Sequence, residues 1–208
     1  KHAESALELF PNQSMLHYFN GFAHLRKRHY PDAIASLEQA KKLSSSNPKL
    51  AGELSGMLGD AYNATKAYDK SDKAYEDALS INPNNDAVLN NYSYYLALRK
   101  TSLDKAEKMS ALLIKNNPDN PTFLDTHAWV LYSRQKYKEA RKVMERALST
   151  GNATATHFEH YGDILFQLGD TTGAVEQWEK LMWKFQQPLP WAKEGEKWVP
   201  MSKIFQLT

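Results

Sequence analysis

The stretch Leu58-Gly59-Asp60-Ala61-Tyr62, followed by Tyr68-Asp69-Lys70-Ser71-Asp72-Lys73-Ala74-Tyr75-Glu76-Asp77-Ala78 and closed by Pro83, decides the fold. Its apolar and small residues recur at helical spacing in two runs, with a short turn between them. A small residue in each run, Gly59 and Ser71, lets two helices approach closely, while large residues such as Leu58, Tyr62 and Tyr75 fill the seam beside them. Pro83 ends the unit, since proline cannot continue a helix that needs its backbone N–H.

Working outward, the same pattern recurs. Small residues of the first helices, Gly21, Gly59, Ser93, Ala128 and Gly162, are spaced 38, 34, 35 and 34 apart. Those of the second helices, Ala33, Ser71, Ala106, Ala140 and Ala174, are spaced 38, 35, 34 and 34 apart. Leu37 and Ala40, Met144 and Ala147, and Trp178 and Leu181 fall in corresponding second-helix places. Pro11, Pro48, Pro83 and Pro118 end units, Pro48 and Pro121 suit the first turn of the next helix, and Gly169-Asp170 ends one helix and caps another. The run Ser44-Ser45-Ser46-Asn47 is expected to be a longer loop that turns a period of 34 into 38.

A period near 34 with two helices per unit is the signature of the tetratricopeptide repeat family, which these residues resemble over about residues 1–188. The resemblance implies an all-α fold, an α-α superhelix in which helix–turn–helix repeats form a right-handed solenoid. The register gives a truncated half-repeat at 1–13, repeats at about 14–51, 52–85, 86–120, 121–154 and 155–188, and a tail at 189–208 expected to cap the array. One unit cannot bury its apolar face alone, so stability must come from stacking. Ala3–Phe10 reads as the second helix of an earlier unit, and the cut end, with Leu7 and Phe10, is expected to self-associate through an apolar patch.

In this family the groove face lies six and three positions before the small residue of each first helix, and one and four after it. Carried onto this sequence, those offsets give Met15, Tyr18, Phe22 and Leu25, then Glu53, Gly56, Asp60 and Asn63. The third repeat gives Ala87, Asn90, Tyr94 and Ala97, the fourth Thr122, Asp125, Trp129 and Tyr132, and the fifth Thr156, Glu159, Asp163 and Phe166. The wall is aromatic and acidic, with five carboxylates and no Lys or Arg, so the clamp with which some family members hold a terminal carboxylate is absent. Such a wall favours a neutral or basic partner segment, through cation–π contact and charge complementarity. Asn63 and Asn90 can hold a partner's backbone, because an amide both donates and accepts. Alternatively these side chains are solvated, or pack on the neighbouring repeat. The first unit is unusual, with His17, Asn20 and His24 at seam positions and apolar residues on its groove face.

Composition sets the bounds. The chain has 208 residues with 26 basic and 24 acidic side chains, a net charge of +2. That balance gives no reason to expect nucleic acid, and no apolar run is long enough to span a bilayer. The absence of cysteine removes disulfides, thiolate metal sites and a cysteine nucleophile. His157, Glu159, His160 and Asp163 form the one cluster resembling a metal or acid–base site, but its histidines are three apart where zinc on a helix wants four. They read as surface and seam histidines, and neither a metal, a cofactor nor a catalytic residue is expected. Four glycosylation sequons, Asn12, Asn63, Asn91 and Asn152, read as chance, since two lie within helices.

The resemblance therefore implies a non-catalytic protein–protein interaction scaffold. The alternative is a regulatory or assembly domain of a larger protein with an upstream catalytic or receptor domain. The segments Asn90–Ala97 and Phe123–Tyr132 look like those of bacterial repeat proteins, many of them envelope lipoproteins or periplasmic scaffolds. A periplasmic or outer-membrane-associated place follows as an expectation, with a cytoplasmic one as the alternative.

Overall fold

The computed structural model describes residues 2–185, 191–194 and 197–200, with side chains over 5–181. The described residues form eleven helices and one short hairpin. The helices are α1 His2–Leu9, α2 Ser14–Arg26, α3 Tyr30–Leu43, α4 Pro48–Ala64, α5 Tyr68–Ile81 and α6 Asp86–Arg99. They continue with α7 Leu103–Asn116, α8 Pro121–Ser133, α9 Tyr137–Ser149, α10 Ala155–Gln167 and α11 Thr171–Phe185. In the tail, β1 Trp191–Glu194 pairs antiparallel with β2 Lys197–Pro200, Trp191 opposite Pro200 and Glu194 opposite Lys197. The capping role expected of 189–208 lies otherwise outside the described residues. The chain falls into two compact units, residues 1–95 and 96–208. In the first, α2 packs on α3, α3 on α4, and α4 on α5; in the second, α7 packs on α8, α8 on α9, α9 on α10, and α10 on α11. This is the all-α helix-pair fold that the period implied.

The starts of the helices follow from local chemistry. Pro48 and Pro121 open α4 and α8, where a missing N–H costs nothing, and the Asn47 and Asn120 side chains accept from the backbone N–H groups that follow. Each pair closes through a three-residue turn with a common bond, an N–H to the carbonyl five residues earlier: His29 to His24, Ala67 to Tyr62, Thr101 to Leu96, Lys136 to Leu131 and Asp170 to Leu165, at 2.9–3.1 Å. That bond is one of the two of the Schellman closure, which places a residue in the left-handed region. Arg28, Lys66, Lys100 and Gln135 take that role with φ of 52–63°, and only Gly169, at φ 82°, is the residue best suited to it.

The small residues are where helices meet. Ala33, Ala106, Ala140 and Ala174 are wholly buried, as are Ser71, Ser93 and Ala128. The Ser71 hydroxyl donates to the Gly59 carbonyl at 2.8 Å. A methyl on Gly59 would stand 2.6 Å from the Tyr75 ring, and one on Gly162 only 2.1 Å from Trp178 Nε1. Trp178, 1% exposed, lies in a core with Phe158, Leu165, Ala174 and Leu181, so it has little room to turn aside. Gly162→Ala should therefore lower stability by about 1–3 kcal/mol through overpacking, read as a drop in the urea midpoint. An unchanged midpoint would mean the ring relaxes freely.

One expectation fails. The loop Ser44–Asn47 has four residues, the same as Asn82–Asn85 and Asn117–Asn120, so it does not lengthen the first repeat. The surplus lies in α4, which has 17 residues where the other first helices have 13 or 14. Its extra turn begins at Pro48, ahead of the boundary expected at 52. At the other end of the first unit Leu9, Phe10, Met15, Phe19 and Phe22 are exposed large apolar side chains.

Candidate functional site

The first unit contains a cavity of about 550 Å³ walled by α2, α4 and α6 and by residues of α3 and α5. Tyr18, Phe22, Leu25 and Arg26 come from α2, Glu53, Gly56, Met57, Asp60 and Ala64 from α4, and Ala87, Val88, Asn91 and Tyr95 from α6. Tyr30, Tyr75 and Asn85 complete the lining. Gly56 makes room for this packing, since a Cβ there would meet Val88 at 2.9 Å.

Asp60 is a half-buried charge in the cavity wall. Its Oδ1 accepts from the Tyr75 hydroxyl at 2.5 Å and from the Asn91 amide at 3.0 Å. No bond to Oδ2 is made by any described residue. Burial pushes the Asp60 carboxyl up from its usual range, and the Tyr75 and Asn91 hydrogen bonds hold that rise in check. The rings of Tyr18, Phe22, Tyr30, Tyr75 and Tyr95 line the same cavity. Tyr75 stacks on Tyr92 at 4.9 Å and lies 6.4 Å from Tyr95. Burial first, and then the Asp60 charge, raise the Tyr95 hydroxyl to about 12, so it stays a neutral donor. A carboxylate set among aromatic faces is an arrangement that recognises a cation carried on an apolar stem.

Of the expected groove residues, Tyr18, Phe22, Leu25, Glu53, Gly56, Asp60 and Ala87 line this cavity. Asn63, Asn90 and Tyr94 are half-buried and do not. The Asn90 amide donates to Asn91 at 3.1 Å, and the Tyr94 ring lies 6.0 Å from that of Tyr95. In α6 the lining is shifted by one residue, to Asn91 and Tyr95. Tyr75 was read as a seam residue, but with no side chain on Gly59 its ring passes over α4 and its hydroxyl reaches Asp60.

In the second unit the expected wall is a packed cluster. Asp125 is 7% exposed and its Oδ1 lies 2.8 Å from Nδ1 of His160, itself 5% exposed. Burial pulls the His160 imidazole down, but the Asp125 charge and hydrogen bond, with the charges of Glu159 and Asp163, more than offset it and raise its pKa. The Trp129 ring stacks on His160 at 4.0 Å and on Tyr132 at 4.6 Å. Tyr132, its hydroxyl raised to about 12 by burial and then by the Asp163 charge, meets Tyr137 edge-on at 5.5 Å. Phe166 lies 5.9 Å from Trp178, and Glu159 and Asp163 are half-buried. Asp125 is thus an internal partner of His160 and no free charge on a wall. His157 caps α10, accepting from the Thr154 N–H at 3.1 Å, while its other nitrogen sits 3.1 Å from the Pro121 carbonyl. Both histidines are seam residues.

Comparison with known proteins adds three facts. Residues 53–85 match the tetratricopeptide repeat model, and residues 148–207 match that of L-rhamnose mutarotase. The L-fucose mutarotase of Xanthomonas campestris pv. campestris is 47% identical over 34 residues, which are 16% of this chain and 27% of that protein, so the chain spans about a quarter of the relative's length. Among solved structures, a tetratricopeptide repeat protein from Parabacteroides merdae superposes with a TM-score of 0.73 at 18% identity, over 86% of this chain and 70% of that one. MamA of Desulfovibrio magneticus RS-1 gives 0.70 at 15%, over 84% and 96% of the two chains, and PilF of Pseudomonas aeruginosa 0.67 at 17%, over 86% and 76%. At these identities the likeness speaks for the fold alone. The unit recognised by the repeat model is one of five helix pairs with a common small-residue register and a common turn: the chain has the tetratricopeptide-repeat fold.

Proposed function

We propose that this chain is a non-catalytic scaffold that holds a partner protein by a segment carrying Lys or Arg beside an apolar residue. The observation that carries the reading is Asp60, a half-buried carboxylate with one oxygen occupied, in a cavity lined by aromatic rings. Repeat folds of this kind use such surfaces to bind other proteins. The basic side chain would meet Asp60 and its stem would lie against Tyr18, Phe22 and Tyr30. The wall first read across both units is here narrowed to the first, because Asp125 and Trp129 are engaged within the second.

Fluorescence anisotropy on a set of labelled peptides, Lys- or Arg-containing against Glu-containing analogues, tests this. Asp60→Asn keeps an acceptor for Tyr75 and Asn91 but removes the charge, so binding should weaken about tenfold or more, or about 1.4 kcal/mol. Added salt should slow association in the wild type and much less in the variant. Equal affinity of both proteins for a basic peptide would remove Asp60 from the site.

The mutarotase likeness favours a second reading, in which the chain is a regulatory or assembly domain of a sugar-handling enzyme. It overlaps the end of α9, the helices α10 and α11, which pack here as a repeat pair through Gly162 and Trp178, and the strands β1 and β2, and runs in part beyond the described residues. Exchange between the anomers of L-rhamnose or L-fucose, followed by NMR, tests whether the chain itself is catalytic. The scaffold reading expects no acceleration by this chain, and an accelerated exchange would overturn it.

A further inference from the structure

The turn between α2 and α3 gathers two imidazoles and a carboxylate. His24 lies in the last turn of α2, His29 is the residue that caps α3, and Asp32 lies in the first turn of α3. Arg28, at φ 60°, folds the chain back, and the His29 N–H donates to the His24 carbonyl at 2.9 Å. The two rings then stand 5.9 Å apart, with His24 Nδ1 3.9 Å from Asp32 Oδ2. One donor atom from each of the three residues lies within 4.8 Å of the others, the one such group among the described residues.

We propose that this turn binds a divalent transition-metal ion of the zinc type through His24, His29 and Asp32, with a fourth position open to water. Imidazole nitrogen and carboxylate oxygen are zinc's usual partners, and bonds of about 2.0–2.2 Å set tetrahedral ligands roughly 3.3 Å apart. The donors must therefore close by roughly 1 Å or somewhat more, which rotamer changes supply. His29 and Asp32 are exposed and free to move, while the His24 side chain, 16% exposed, gives the fixed point. Charge decides the class of ion. Arg26, Lys27 and Arg28 flank the turn and are exposed, so a hard cation relying on Asp32 alone is poorly held. An ion that bonds strongly to neutral imidazole tolerates those neighbours better. Leu25, Arg26 and Tyr30, interleaved with the ligands, line the cavity described above, so the bound ion also fixes that part of its wall.

Zinc chloride titrated calorimetrically into the chelator-treated full chain tests the site, with cobalt(II) absorption as the reporter of tetrahedral nitrogen and oxygen ligands. One ion per chain is expected, with calcium binding at least tenfold weaker. His29→Ala and Asp32→Asn, both at exposed positions, should each weaken zinc by tenfold or more, because even outer-sphere changes cost about 10–100-fold. His17→Ala, on the same helix but bonded to the Pro11 carbonyl, should bind as the wild type does. Zinc should raise the unfolding midpoint of the wild type and not of His29→Ala. No zinc binding, or wild-type binding retained in both ligand variants, or calcium held as tightly as zinc, overturns the proposal.

Discussion

Ala140→Asp should cost about 3–5 kcal/mol and unfold much of the second unit at moderate temperature, because it puts an unpaired charge into a close helix contact. Ala140 is wholly buried among Leu124, Ala128, Leu131, Met144, Ala147 and Ile164, none of which can solvate or pair a carboxylate. Repeat units stand on their neighbours, so the damage should spread to the adjacent helix pair. Thermal unfolding followed by circular dichroism reads the effect. A midpoint equal to that of the wild type would show that Ala140 does not sit at the contact, and the small-residue register would fail with it.

Asp125→Ala should cost about 3 kcal/mol, since it leaves the buried His160 without its hydrogen-bonded partner. The sequence placed Asp125 on a wall facing a partner; with Asp125 inside the fold, stability is the property that changes. The pair also gives the protein a pH signature. The folded His160 pKa is raised, so its contribution is full below the value of an unfolded histidine, about 6.5, and is lost as pH rises through the folded value. His127 runs the other way. Burial lowers its pKa, and its Nδ1 lies 2.8 Å from the Ser110 hydroxyl, so stability falls as pH drops below about 6.5. Urea midpoints between about pH 5 and pH 9 should therefore decline toward both ends, and Asp125→Asn should remove the alkaline decline while leaving the acid one. An unchanged alkaline limb would mean that His160 is neutral in the folded protein.

The helix pairs were legible because the fold depends on a few positions where no side chain larger than a hydroxymethyl fits. Gly59 against Tyr75 and Gly162 against Trp178 leave a mark in the sequence that survives wide variation elsewhere. The extra turn of α4 was not legible. Ser44-Ser45-Ser46-Asn47 has loop composition whatever its length, and Pro48 suits a first helical turn wherever that turn begins. The cavity was legible on α2 and α4 but slipped by one residue on α6, where Asn91 and Tyr95 line it. One residue turns a helix by about 100°, so an offset counted from Ser93 holds only if each helix is rotated alike. Asp125 misled for another reason: a charge on the expected face is solvated unless a buried hydrogen-bonding partner waits opposite, and His160 does.

The five turns have a consequence for how this chain can change over time. Each is closed by the same backbone bond from an N–H to the carbonyl five residues back, and Arg28, Lys66, Lys100 and Gln135 hold its left-handed position as Gly169 does. The letters at these sites are thus nearly free, but their number is not. An inserted residue would swing the following helix by about 100° and carry Ala33, Ser71 or Ala140 out of contact. Substitutions can accumulate in these turns while insertions and deletions are purged, so whole helix pairs are the increments by which such a chain can lengthen or shorten.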